Sequence, residues 1–191
     1  AVLLFNSACK KEYLTPKLET SVAEENAFDT QFRIESQAVS LYGSLKVGSF
    51  YGGRYLVYGN VRGEDFINET SNLVTASDVW SMNLANSATS VKGLWSQGFL
   101  TINRCNVYID GMAAKGTAIV GDALGAKYVA EARLIRALSY YSLLQVFALP
   151  YADGNGAKPG LPLRLKGVTG PGSSDMARSA VAEVYAQILD D

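Results

Sequence analysis

The chain has 191 residues, 48% apolar and 18% charged, with a formal net charge of −1. That is enough for one domain with a sizeable core, and the balanced charge points away from nucleic acid and anionic membrane surfaces as partners. With no histidine in the chain, the usual general base and the usual imidazole metal ligand are missing, which removes most hydrolytic triads and zinc sites.

The sequence opens "AVLLFNSACKKEYLTP". Residues 1–9 read as the tail of a secretory signal, with Val2 to Phe5 apolar and small residues before Cys9, and they are too few to span a membrane. Residues 10–20, with Pro16 and no periodicity, read as an extended lead-in. Residues 21–191 form the helical domain. The first residue is not Met, and "RSAVAEVYAQILDD" keeps its helical period up to Asp191 with no stop signal, so the expectation is a fragment incomplete at the C-terminus.

Ser21 and Glu24 have capping-box spacing, and Phe28, Phe32, Val39, Tyr42 and Leu45 recur as the apolar face of a helix over 22–46. "VGSFYGGRY" ends it. Residues 55–60 suit a short helix or turn, and the polar run 62–78 a loop. Apolar positions return at Trp95, Ile102, Cys105, Ile109 and Met112 and predict a second long helix over 89–112, with Trp95 and Cys105 in the core. A disulfide to Cys9 suits an oxidising compartment only if Cys9 is not otherwise modified. A glycine-rich link, "KGTAIVGDALG", precedes "AKYVAEARLIRALSYYSLLQVFALP". That helix is apolar nearly all round beyond Glu131, carries a Lys127/Glu131 pair, stops at Pro150, and belongs at the centre of the core. Residues 151–172, with three prolines and six glycines, form a long surface loop. A last helix begins near Ser173 or Ser174. Long helices joined as hairpins predict an all-α layered packing.

Few motifs carry chemistry. "GNGAKPG" at 154–160 has GxGxxxG spacing and follows a helix, so it does not place a pyrophosphate on a helix N-terminus, and "GDALGAK" lacks the P-loop spacing. The acidic pairs 24/25, 64/65 and 190/191 are sequence neighbours that diverge on a helix, unlike the facing carboxyls of a glycosidase. No catalytic residue, metal site or cofactor is expected. Eleven tyrosines offer flat faces with hydroxyls. Trp80 stands just after the polar loop, beside Asn83 and downstream of Arg62 and Asp65. An indole flanked by amide, guanidinium and carboxylate can stack on a sugar ring and bond its hydroxyls. The competing reading is a tryptophan that pins a loop to the core.

"EARLIRALSYYSLLQVFALP" (131–150) resembles the signature EAxxLRAxxYxxLxxxFGxxP of the SusD/RagB family, with Glu131, Ala132, Arg136, Ala137, Tyr140, Leu143 and Phe147 in register and Pro150 ending the run. "CKKEYL", "ENAFDT", "TINRCNVYID", "GLPL" and "RSAVAEVYAQILDD" agree further, in the order of the family's N-terminal half. The resemblance implies a tetratricopeptide-like helical superhelix on an outer-membrane lipoprotein, lipidated at Cys9 and facing the exterior. It implies a binding protein, not an enzyme, that passes glycan to a TonB-dependent SusC-type transporter. The alternative is a helical protein-interaction scaffold without its own sugar site.

Overall fold

The structure, a computed structural model, describes residues 26–63, 66–69, 76–85, 88–170 and 175–191. Cys9, Asp65 and the Ser21/Glu24 capping box lie outside them, as do the leader and lead-in segments.

α1 (Gln31–Leu45) starts at Thr30, whose hydroxyl accepts from the Arg33 N–H at 3.3 Å. The helix therefore begins later than the periodicity over 22–46 suggests, and its apolar face is a different one. Ile34, Ala38 and Leu41 are buried, whereas Phe32 and Val39 are 78% and 65% exposed and Tyr42 is exposed too. The largest residues do not mark the buried face: the small Ala38 and Ser44 do, since they let a neighbouring helix approach. Phe28 precedes the helix and packs into the far end of the domain against Tyr108.

α2 (Arg54–Val61) and the single turn α3 (Ser77–Trp80) are followed by α4 (Thr89–Gly111). The glycine-rich link expected after α4 is almost continuously helical: a π-helical turn (Met112–Gly116) and α5 (Thr117–Val120) run on from it. The chain breaks only at Gly121, whose φ of +84° lies in the left-handed region that favours glycine. α6 (Asp122–Phe147) then runs back along α4, and this antiparallel pair makes the most extensive helix contact. Gly98 on α4 explains the close approach, since a β-carbon there would meet the Leu143 side chain at 2.7–2.8 Å. Lys127 and Glu131 pair along α6 at 3.9 Å.

α7 (Val181–Asp190) starts later than Ser173 or Ser174. Residues 175–180 are not helical: the Gly160 N–H donates to the Ser179 carbonyl, the Ser179 N–H donates to the Leu161 carbonyl, and Pro159 bridges Ala180. The Glu183 carboxylate then accepts from the Ala180 N–H at 2.8 Å and closes the first turn.

Among the described residues, three clusters fill the interior. Ile34, Leu41, Cys105, Tyr108, Met112, Ala132 and Ile135 join α1 to one half of the α4–α6 pair. Ile102, Tyr140, Leu143, Leu161, Val181 and Val184 join α7 to the other half. Phe50, Tyr58, Val79 and Leu94 seat α2 and α3 on the start of α4. Cys105 is fully buried and free, and burial pushes its thiol up to about 12. Arg136, a motif position of α6, is buried as well. Its guanidinium is bidentate to the Asp191 carboxylate and donates through a third nitrogen to Asn106 Oδ1 at 2.7 Å. No buried side-chain nitrogen or oxygen among the described residues lacks a partner. The described helices include none long and apolar enough to cross a membrane.

Candidate functional site

α2, α3 and the first turns of α4 build the edge of the domain that carries the sequence-predicted residues. Ala76 takes a left-handed φ of 58° and turns the chain into α3, burying Val79 beside Tyr58 and Leu94. Asp78 ties the turn to α4, accepting from Ser90 Oγ at 2.8 Å on one oxygen and from the Val79 N–H at 2.9 Å on the other.

On this frame Trp80 is 39% exposed, and its indole N–H donates to the Phe66 carbonyl at 3.0 Å. The N–H is therefore committed to holding the preceding loop, and what remains for a ligand is ring surface. Arg62 caps the end of α2 and is exposed, as is Asn83.

Between α2, the α3 turn and the end of α6 lies a groove of about 270 Å³. Arg62 lines it with Tyr58, Val79, Met82, Leu84 and Val146. Trp80 and Asn83 alternate in sequence with the lining residues Val79, Met82 and Leu84 but are not part of that wall. The groove is mostly apolar, with the Arg62 guanidinium and the hydroxyls of Tyr58 and Ser90 as its polar groups. Burial raises the Tyr58 phenol above its ordinary value, partly opposed by the charge of Arg54 and by hydrogen bonds with Arg54 and Ser90. Sequence reasoning missed Tyr58, Met82 and Leu84. Tyr58 stood within the segment read as a short helix, yet nothing local marks which of eleven tyrosines meets a groove.

Trp95, expected in the core, is only half-buried at its edge, with Phe99 at 4.6 Å and Phe147 edge-on at 5.1 Å between ring centres. Among the described residues no group of three or more Cys, Asp or Glu side chains is placed to hold a metal ion. The arrangement offers apolar and aromatic surface with neutral and cationic hydrogen-bonding groups, which suits binding.

A SusD-like family profile, described as starch-binding associating with outer membrane, matches residues 12–191. Among solved structures, the chain resembles a SusD superfamily protein from Bacteroides fragilis, at 32% identity and a TM-score of 0.79 over 86% of this chain and 38% of that one. It also resembles a SusD superfamily protein from Bacteroides thetaiotaomicron VPI-5482, at 23% identity and a TM-score of 0.73, covering 84% of this chain and 35% of that one. A candidate sugar-binding protein from Bacteroides vulgatus ATCC 8482 matches at 23% identity and a TM-score of 0.70, with the same coverage. The chain thus spans little more than a third of the length of these structures. No curated protein matches it. The all-α, tetratricopeptide-like packing expected from the sequence is the fold found.

Proposed function

The chain belongs to the SusD-like family, and we propose that it serves as a surface-exposed glycan-binding lipoprotein. It captures oligosaccharide or polysaccharide and passes it to a TonB-dependent SusC-type transporter in the outer membrane. The observation that carries this reading is the family match over residues 12–191. An anchor on Cys9 supplies the membrane attachment, each buried acyl methylene contributing about 0.8 kcal/mol.

Recognition is assigned to the edge built by α2 and α3. Trp80 offers its ring face to a pyranose, and Arg62, Asn83 and Asp65 are assigned to sugar hydroxyls. Such a site binds weakly per ring, since its affinity rests on one stacking face and a few polar contacts. Binding rather than catalysis also fits a chain with no histidine.

A protein-interaction scaffold without a sugar site is the second reading, favoured by the exposed Phe32, Val39 and Tyr42 on one side of α1. Calorimetry with a polysaccharide panel, run beside co-purification of the transporter, separates the two. A glycan that binds wild type and is lost in Trp80→Ala supports capture at this edge. A stable transporter complex with no glycan bound supports the scaffold.

A further inference from the structure

Residues 161–168 cross α4 without forming helix or strand, yet their backbone is held at four points by side chains. The Tyr140 hydroxyl accepts from the Arg164 N–H at 2.7 Å and donates to the Arg164 carbonyl at 2.9 Å. Asn106 Nδ2 donates to the carbonyls of Arg164 at 2.8 Å and Lys166 at 3.3 Å. Asp110 accepts from the Gly167 N–H at 2.8 Å. Asn103 accepts from the Val168 N–H at 2.8 Å and donates back to its carbonyl at 2.9 Å. At Gly167 the strap runs so close to Val107 that a β-carbon would meet it at 2.8–2.9 Å. Asn106 is fixed in turn by Arg136, and Arg136 by Asp191.

A strap fixed this way stands as a wall and keeps open the space beside it. That space is a groove of about 480 Å³, lined by Trp95, Phe99 and Asn103 from α4, by Arg164 of the strap, and by Asp175 and Met176. Its size falls within the usual range for small-ligand sites. Trp95 and Phe99 give it aromatic surface, and Asp175 adds an exposed carboxylate. The Arg178 guanidinium sits 5.7 Å from the Trp95 ring centre and is itself held by the Phe147 carbonyl at 2.8 Å. Aromatic surface with an exposed carboxylate beside it suits a flat ring carrying hydroxyls, stacked on the rings and hydrogen-bonded at its edge. The groove also adjoins the one beside Arg62: Phe147 lines that one, and its ring stands edge-on against Trp95, which lines this one.

We propose that the groove under the 161–168 strap is a second saccharide subsite, holding further sugar rings of a chain whose other rings are bound at the α2–α3 edge. This rests on the glycan-binding reading and extends it: the ligand is an oligomer long enough to pass the Trp95–Phe147 partition. Asn103 and Tyr140 act as positioning residues, since they hold the strap and not the sugar.

The test is calorimetric titration of the full chain with hexasaccharides cut from α-glucan, β-glucan, xylan and mannan. Wild type is compared with Met176→Trp and Val168→Trp, which fill the groove from exposed positions, with the milder Asp175→Asn, and with Trp80→Ala. The expected result is an affinity lower by about tenfold or more in both filling variants, with circular dichroism and melting temperature unchanged. Crystals soaked in the bound hexasaccharide provide a readout that needs no variant, and sugar density under the strap is expected. Density confined to the α2–α3 edge, or filling variants that bind as wild type while Trp80→Ala does not, overturns the second subsite and leaves the functional reading standing. Wild type that binds none of the four hexasaccharides overturns both.

Discussion

Replacing Asp191 by alanine strands a guanidinium inside the protein. The side chains of Arg136 and Asp191 are 6% and 1% exposed, and they share two hydrogen bonds that tie α7 to α6. Hydrogen bonds to charged groups contribute about 1.5–3 kcal/mol each, and breaking a buried pair from one side costs about 3–5 kcal/mol. Asn106 Oδ1 still accepts from Arg136 after the substitution, which places the expected loss near the lower end, about 3 kcal/mol. With a urea m-value of about 2 kcal/mol per molar, the unfolding midpoint then falls by about 1.5 M at unchanged m. The double variant Arg136→Met/Asp191→Leu removes both charges and recovers part of that loss, because apolar replacement of a whole buried pair is close to neutral while the buried Asn106 Oδ1 loses its donor. Urea denaturation of wild type and these two variants, followed by far-UV circular dichroism, reads the loss, the midpoint shift and the recovery. An Asp191→Ala variant within about 0.5 kcal/mol of wild type, the range of an ordinary surface change, refutes the reasoning.

Gly98→Ala puts a methyl group within 2.7–2.8 Å of the fully buried Leu143 side chain. The expected cost of overpacking, about 1–3 kcal/mol, exceeds the roughly 1 kcal/mol that alanine gains in helix propensity, so thermal unfolding should show net destabilisation. Tyr140→Phe removes both bonds to Arg164. A loss of about 1–3 kcal/mol is expected, with faster amide exchange at Arg164 marking a loosened strap. The Cys105 thiol, raised by burial from 9.0 to about 12, holds its proton more tightly folded than unfolded. Its stabilising contribution is therefore full below pH 9 and is lost as pH climbs from 9 towards 12. Denaturation midpoints should fall over that window with a steeper slope in wild type than in Cys105→Ala, and iodoacetamide at pH 8 should label the thiol only after unfolding.

The long helices α4 and α6 were legible because each repeats a buried position over many turns, and α6 carries the EAxxLRA register besides. The buried face of α1 was not, because small residues mark it while Phe32 and Val39, the obvious apolar positions, stay outside. The start of α7 depends on backbone pairing between residues 158–161 and 179–181, a non-local contact that leaves no local periodicity. The glycines of 112–121 suggest a link, yet the run through 112–120 is helical, because Gly116 is buried against Met112 and Phe28 and only Gly121 breaks the chain. The role of Arg136 was visible as a motif position but not as a buried ion pair, since Asp191 lies 55 residues away. At the α2–α3 edge, sequence reasoning selected Trp80 by its polar neighbours. The lining by Tyr58, Met82 and Leu84 depends on how α2 and α3 meet, which no single segment encodes.

The central claim is that this chain binds glycan at the α2–α3 edge. Electrophoresis of the full chain through native gels cast with and without soluble polysaccharide, with Trp80→Ala in the neighbouring lane, tests it most directly. The account predicts that wild type is retarded by at least one polysaccharide and that Trp80→Ala, with an unchanged circular dichroism spectrum, migrates as in the plain gel. Equal retardation of the two proteins, or none of wild type in any polysaccharide, contradicts it.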